Sequence, residues 1–177
     1  MLNDQSATVN FMSEIFSYMD SSESTFTLLN SIHQSLKSIL YAENFFVVLV
    51  SSTKRYVTFP YFHDIKDSVS SDEINSVPLE ELYDTLTFYA LKKKEVVCLV
   101  KNEIQQLVEK NEINVLGSMP EQWLCFPLIY KGNFLGDFVI QSYRSTDEYN
   151  QDDINILHFI SNVIAAALYL FNKNSEL

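Results

Sequence analysis

Apolar residues recur every three or four positions at both ends of the chain, and this spacing predicts helices there. The first helix covers about residues 9–19, and a serine-rich segment at 21–24 separates it from a second helix. The second helix has one apolar and one polar side, which is typical of a helix that packs against a core. Its apolar side consists of Leu29, Ile32, Leu36 and Ile39. The serines that precede it are favourable N-cap residues.

Two internal segments carry apolar residues on both faces of a strand, and the first of them is apolar without alternation and rich in β-branched and aromatic residues. Residues 44–50 and 134–141 therefore predict strands at the centre of a sheet, where both faces of a strand are covered. A strand at 56–62 follows the first one in a hairpin. It is expected to end or bulge at Pro60, because proline has no N–H to donate to the sheet.

Shorter patterns complete the sheet and its connections. Strands are predicted at 95–100 and 123–130, and the second of these joins residues 133–143 through a tight turn. Lys131 and Gly132 can supply the positive φ that such a turn requires. Further helices are predicted at about 79–90 and around 104–108, and loops at 63–78 and 111–121. The order of elements predicts an α+β fold, with a central antiparallel sheet of five or six strands and helices on both faces.

The last helix is predicted to begin after Asn150, a good N-cap, and to run to about residue 172. It carries two apolar stripes that point in different directions. The first stripe is Ile154, Leu157, Ser161, Ile164, Leu168 and Phe171, and the second is Ile156, Ile160, Val163, Ala167 and Leu170. One side can cover the sheet. The other side needs the N-terminal helices of the same chain, a second chain, or part of each.

The charge balance narrows the range of partners. A formal net charge of −11, from 12 basic and 23 acidic residues, disfavours binding to nucleic acid or to an anionic membrane. The N-terminus has no basic start followed by an apolar run, and no uninterrupted apolar run reaches the length of a membrane span. Cys98 and Cys125 lie in apolar segments and are expected to be buried, reduced and non-catalytic. These features predict a cytoplasmic protein.

Motifs for catalysis and metal binding are missing from the sequence. The three histidines have no metal-ligand spacing with each other or with the cysteines. There is no P-loop, dinucleotide fingerprint, nucleophile elbow or zinc-protease motif. We therefore predict no catalytic residue and no metal site, and the sequence leaves any cofactor unknown.

A family resemblance is carried by the C-terminal half of the chain. A Pro127-Leu128 strand, a turn at Gly132, a strand with Gly136, and Tyr149 followed by Asp153 at the start of the last helix resemble a GAF domain. Upstream segments resemble the GAF domains of bacterial sensor kinases and diguanylate cyclases, so that the resemblance covers about residues 24–170. It divides the chain into an N-terminal helix at 1–23, a GAF domain at 24–172 and a tail at 173–177.

The resemblance implies a function as well as a fold. It implies a sensory or regulatory domain that binds a small molecule or a partner protein and signals as a homodimer through its N- and C-terminal helices. An alternative is a structural dimerisation module without a ligand. Some small GAF proteins reduce free methionine sulfoxide, but their Cys-Gly loop pattern is missing here, so we do not expect an enzyme.

The resemblance also places a ligand between the sheet and the helices and loops that cover it. Tyr61 and His63 stand at a strand end near that pocket, and the single tryptophan would enter the same region from a neighbouring strand. Gln141 and Tyr143 share one face of their strand with Asp137 and Val139. The candidate ligand-binding residues are Tyr61, His63, Trp123, Gln141 and Tyr143. For each of them, packing in the core or at a strand edge is the alternative role.

Overall fold

A computed structural model describes residues 2–67 and 76–175 of the chain. Its helices are α1 (Leu2–Ser21), α2 (Thr25–Lys37), α3 (Leu86–Lys93), α4 (Lys101–Glu109) and α5 (Gln151–Ser175), with short 3-10 helices at Leu79–Leu82 and Ser145–Asp147. Its strands are β1 (Asn44–Val50), β2 (Tyr56–His63), β3 (Val77–Pro78), β4 (Val97–Val100), β5 (Gln122–Tyr130) and β6 (Asn133–Ser142). The predicted loop at 63–78 and tail at 173–177 lie partly outside the described residues.

The six strands form one antiparallel sheet in the order β3-β2-β1-β6-β5-β4. This confirms the predicted α+β fold and the central positions of β1 and β6. Both strands contribute buried residues to each face of the sheet, as the apolar residues on both of their faces predict. Only the two-residue strand β3 was not predicted, because two residues carry no periodic signal.

Each face of the sheet supports its own hydrophobic core. The first core packs the sheet against α1, α2 and α5, and we call this side the helix face. The second core packs the opposite side against α3, α4 and the loop that follows α4, and we call it the pocket face. On β1 the side chains alternate between the two cores, with Phe45 and Val47 on the helix face and Phe46 and Val48 on the pocket face. Full burial of such a side chain contributes about 1.5–3 kcal/mol.

The bulge expected near Pro60 lies between β1 and β2. Val47 pairs with Tyr61 and Leu49 pairs with Thr58, so two residues, Phe59 and Pro60, stand opposite one on β1. The extra residue shifts the alternation of side chains along β2. As a result, Phe59 and Phe62 both contribute to the core of the pocket face, although they are three positions apart. Tyr61 contributes to the core of the helix face.

Local signals for turns and caps are also confirmed. The β5–β6 turn has positive φ at both Lys131 (49°) and Gly132 (76°), as in a type I′ hairpin. The Ser24 side chain accepts a hydrogen bond from the Thr27 N–H and caps α2. The Asn150 side chain accepts hydrogen bonds from the Asp152 and Asp153 N–H groups at the start of α5.

The predicted helix at 79–90 is divided in the structure. A 3-10 helix at Leu79–Leu82 is followed by Asp84, whose φ of 63° breaks the helical path. The Thr85 side chain then accepts a hydrogen bond from the Phe88 N–H and caps a new helix, α3. The apolar spacing continues across both pieces, which is why the sequence pattern does not reveal the break.

The second apolar stripe of α5 is covered in part by the same chain. Ile160 and Ala167 are buried in the core that also contains Phe11 and Ile15 of α1. Leu168, which the pattern placed on the sheet-covering stripe, is fully buried. By length and composition the stretch Gln151–Lys173 could span a membrane, but 44% of its apolar part is buried inside the protein, where α5 packs on β5.

A buried polar contact joins α2 to the sheet beneath it. His33 is fully buried, and its Nδ1 lies 2.7 Å from the Tyr61 hydroxyl. Its Nε2 contacts the Ala42 carbonyl oxygen, which can only accept, so the neutral ring carries its proton on Nε2 and accepts from Tyr61 on Nδ1. Burial is the main reason that the pKa of His33 falls from 6.5 to about 4. The histidine is therefore neutral in the folded protein at physiological pH.

His33 should make folding sensitive to acid. Because the pKa is 6.5 in the reference state and about 4 in the folded protein, its contribution to stability is present above pH 6.5 and is lost as pH falls through 4. The loss is on the order of 3 kcal/mol. Urea unfolding near neutral pH and at about pH 4.5 should show a smaller pH effect in His33→Gln than in the wild type.

The exposed His158 provides the control for this comparison. His158→Gln should keep the wild-type pH effect, because it retains the buried His33. The remaining titrating groups are the same in the wild type and in both variants. An identical pH effect in His33→Gln would contradict the assignment.

Candidate functional site

A pocket of about 360 Å³ opens on the pocket face of the sheet. Its aromatic wall is built from neighbouring strands, with Phe46 on β1, Phe59 and Phe62 on β2, and Trp123 on β5. The Phe46 and Phe62 rings are stacked with their centroids 5.1 Å apart. The start of α3 and the loop at 114–118 cover the other side. The bulge in β2 builds this wall, because it brings Phe59 and Phe62 to the same face.

A polar network lies beside the aromatic wall, at the end of β6. Gln141, which lines the pocket, donates from Nε2 to the Asp64 carboxylate at 2.7 Å and to the Tyr143 hydroxyl at 3.0 Å. The Tyr143 hydroxyl donates to the same Asp64 oxygen at 2.8 Å. Burial of this hydroxyl, and then its hydrogen bond to Asp64, raise the pKa of Tyr143. Tyr143 therefore remains a hydrogen-bond donor at any physiological pH.

Asp67 connects this network to the loop that covers the pocket. Its carboxylate accepts hydrogen bonds from the Ser118 N–H at 3.2 Å and the Ser118 hydroxyl at 3.4 Å. Gly117 allows the close approach, since a Cβ at this position would lie 2.5 Å from an Asp67 carboxylate oxygen. The segment 64–67 and the loop at 114–118 are thus held together over one end of the pocket.

The structure brings three of the five candidate residues together and separates the other two. Trp123 and Gln141 line the pocket, and the Tyr143 hydroxyl accepts a hydrogen bond from the Gln141 amide. Tyr61 and His63 do not join them, because the β2 bulge turns their side chains to the helix face. Tyr61 bonds to His33 there, and the exposed His63 contacts the Glu43 carbonyl oxygen at 2.7 Å. Tyr61 and His63 therefore do not line this pocket, and a ligand-binding role for the five candidates stays a prediction.

Sequence reasoning did not include Asp64, Asp67, Gly117 and Ser118 in the site. The acidic pair flanks a short segment after β2, and its partners stand more than 50 positions away. No spacing within one segment could reveal such a contact. An aspartate that accepts from backbone N–H groups two and three residues later, as Asp64 does, is a local turn signal, but it does not identify the distant partners.

The two cysteines differ in exposure. Cys125 is fully buried on the pocket face, as predicted, whereas Cys98 is exposed on the edge strand β4, which corrects the prediction that both are buried. Burial raises the pKa of Cys125 well above its usual value. Partial desolvation, with a smaller effect of Glu103, raises the pKa of Cys98. Both thiols therefore resist conversion to the reactive thiolate.

A buried carboxyl group stands beside Cys125. Asp137 is only 1% exposed, and within the described chain one of its carboxylate oxygens has no hydrogen-bond partner. Burial raises the pKa of Asp137 to about 7, against a small opposing effect of a hydrogen bond with Cys125. Among residues 2–67 and 76–175, no group of three histidine, cysteine or acidic side chains could hold a metal ion.

The arrangement of the sheet and the helices is that of the GAF fold. No family model and no curated protein matches the chain, but solved structures do. The GAF domain of a phosphoenolpyruvate-protein phosphotransferase from Coxiella burnetii matches with a TM-score of 0.72 and 12% identity, over 96% of this chain and 97% of that one. This likeness shows that the chain has the GAF fold, as its C-terminal motifs predict.

Two further matches differ in function. Residues 122 to 287 of a methyl-accepting chemotaxis protein match with a TM-score of 0.71 and 12% identity, over 92% of this chain and 99% of that one. A free methionine-R-sulfoxide reductase from Neisseria meningitidis, solved with its substrate, matches with a TM-score of 0.66 and 12% identity, over 94% of this chain and 91% of that one. The same fold thus occurs in signalling proteins and in an enzyme.

The Tyr143 hydroxyl should hold the segment 64–67 in place. Tyr143→Phe removes one donor to the Asp64 carboxylate, and the loss should cost about 1–3 kcal/mol of folding stability. It should also speed hydrogen exchange at the Ser118 N–H, which depends on Asp67. Urea unfolding and amide exchange would measure the two effects.

Tyr56→Phe is the matched control, because Tyr56 is 47% exposed on the same sheet. It should leave both measurements near their wild-type values. Equal effects of the two substitutions would contradict the proposed role of the Tyr143 hydroxyl.

Proposed function

We propose that the chain is a sensory or regulatory domain that binds a small molecule in the pocket lined by Trp123 and Gln141. The observation that carries this proposal is the combination of an aromatic wall with a polar network that fastens the covering loop. A volume of about 360 Å³ lies within the range of small-molecule sites. The signalling proteins among the structural matches support the same function by analogy of fold.

The lining indicates the chemistry of the ligand. The stacked aromatic rings favour a planar ring system, because flat faces pack well on aromatic side chains. Asp67 lines the pocket and its carboxylate can only accept hydrogen bonds. The Gln141 amide can both donate and accept. We therefore propose a small planar ligand that carries N–H or O–H donors.

A reductase function has less support than a binding function. Methionine sulfoxide reduction requires a reactive thiolate in the pocket. Neither cysteine lines the pocket, and the pKa of each is raised above its usual value. We therefore propose a non-enzymatic domain.

The single tryptophan provides a direct test of ligand binding. The protein would be purified from its native host, and native mass spectrometry would search for a retained small molecule. Adding that molecule to the ligand-free protein should change Trp123 fluorescence with a saturable, stoichiometric curve. Phe59→Ala should weaken the affinity about tenfold or more, since it removes one ring of the aromatic wall.

Leu79→Ala, outside this pocket, is a matched apolar control and should bind as the wild type does. Absence of any retained molecule from host-purified protein would favour the structural dimerisation module instead. Consumption of methionine sulfoxide with a thiol reductant, abolished by Cys98→Ser or Cys125→Ser, would overturn the non-enzymatic proposal.

We also propose that the domain forms a homodimer through its first and last helices. On α1, Val9 and Phe16 are 64% and 53% exposed, and on α5 Phe159 is 44% exposed. Ile156, Val163 and Leu170 of α5 remain half-buried. Apolar side chains on both terminal helices thus remain available to a second copy, even though α1 covers part of α5. A two-fold dimer is the commonest arrangement for a soluble homo-oligomer.

Phe16→Glu should convert the dimer into a folded monomer, because it places a charge among the exposed apolar side chains of α1. Light scattering over a range of concentrations, with circular dichroism to confirm folding, would measure this. Tyr83→Glu changes a 54% exposed aromatic residue away from these helices and should leave the dimer intact. A wild-type monomer at every concentration would contradict the proposal. Leu168 is unsuitable for this test, because it is part of the core.

A further inference from the structure

A second and larger cavity lies at the opposite end of the sheet from the polar network. It is a groove of about 1010 Å³ between the C-terminal ends of α3 and α5, bordered by the β1–β2 and β5–β6 turns. Its floor is apolar and is formed mainly by Leu49, Leu91, Phe134, Leu135 and Leu168, which are buried or half-buried. We call it the lysine groove, because its rim carries Lys54, Lys92, Lys94 and Lys173.

The rim contrasts with the rest of the molecule in charge. The protein has a net charge of −11, yet none of the described residues that line the groove is an aspartate or a glutamate. Elsewhere, Lys37, Lys101 and Arg144 form ion pairs with carboxylates at 2.6–2.8 Å. Within the described residues, Lys54, Lys92 and Lys94 form no such ion pair. These three lysines therefore place positive charge at the groove without a carboxylate partner among the described residues.

Helix ends explain part of this distribution. Lys92 belongs to the last turn of α3 and Lys173 to the last turn of α5, where cations interact favourably with the helix dipole. Lys54 belongs to neither helix. It stands in the β1–β2 turn with a φ of 56°, a conformation that lysine rarely adopts. The helix dipoles therefore do not explain why lysines from three separate elements surround one apolar floor.

The lysine side chains also lie along aromatic rings of the groove. Lys92 Nζ stands 4.9 Å from the centroid of Phe88, and Lys94 Nζ stands 5.3 Å from that of Phe134. In these positions each ammonium group lies over an aromatic ring of the groove, at a cation–π distance. An occupant of the groove would thus meet ammonium groups next to apolar surface.

We propose that the lysine groove binds a free anionic amphiphile, a molecule with an apolar chain and a carboxylate or phosphate head group. The chain would lie on the leucine and phenylalanine floor, where its burial removes apolar surface from water. The head group would accept charge-assisted hydrogen bonds from the rim lysines. A polyanion without an apolar part would leave the apolar floor exposed to water. A neutral chain would leave Lys54, Lys92 and Lys94 without a counter-charge. The groove is separate from the Trp123 pocket, so this proposal does not depend on that ligand.

Isothermal titration with monomeric dodecanoate and dodecyl phosphate tests the proposal directly. Both should bind saturably to one site per chain, and raising the salt concentration should weaken them, because rim lysines are exposed. Dodecyltrimethylammonium has the same chain with the opposite charge and should bind at least about tenfold more weakly. The double variant Lys54→Gln/Lys94→Gln should weaken dodecanoate about tenfold, which corresponds to about 1.4 kcal/mol.

Lys66→Gln/Lys110→Gln is the matched control, because it removes the same charge from lysines outside the groove. It should bind dodecanoate within about twofold of the wild type, and thermal unfolding should confirm that both double variants fold. Equal binding of the cationic and anionic amphiphiles, or equal losses in the two double variants, would overturn the proposal. Binding to phosphatidylglycerol vesicles without binding of the monomers would also overturn it, in favour of a membrane surface.

Discussion

The pairing of β1 with β6 at the centre of the sheet is the constraint on which the rest of the structure depends. Both strands are apolar on both faces, so the fold must cover both sides of the sheet. The terminal helices cover one side, and α3, α4 and their loops cover the other. The two sides differ in kind, because long helices pack continuously on a sheet, whereas short helices and loops leave space between them. The Trp123 pocket lies on the side that the short elements cover, and the lysine groove lies at the end of the sheet beside α3.

The β2 bulge then decides which side chains face that space. It places two residues of β2 opposite one residue of β1, which interrupts the alternation of side chains along β2. As a result, both Phe59 and Phe62 face the pocket. The same shift sends Tyr61 to the helix face, where it becomes the partner of His33. One inserted residue therefore determines both the aromatic wall of the pocket and the buried polar contact beneath α2.

The sequence predicts well those features that arise from neighbouring residues. The central strands, the Ser24 and Asn150 caps and the Lys131-Gly132 turn each depend on a few consecutive positions, and all are confirmed. The sequence also predicts the bulge at Pro60, but not its effect on which face Tyr61 and His63 occupy. That effect depends on the register with β1. The exposure of Cys98 depends on β4 being an edge strand, and the lysine groove depends on three distant elements. These features require the three-dimensional arrangement, which periodicity does not contain.

The two buried titrating groups, His33 and Asp137, have opposite consequences for the proton balance of folding. The pKa of Asp137 is about 7 in the folded protein and 3.8 in the unfolded chain. Between these two pH values, the folded protein therefore holds a proton on Asp137 that the unfolded chain has released. His33 does the reverse over almost the same interval, since it excludes a proton that the unfolded chain would bind. On folding in this pH interval, Asp137 thus takes up about one proton and His33 releases about one. In mildly acidic solution, the pair gives folding little net proton uptake or release, although each group alone would couple folding strongly to pH.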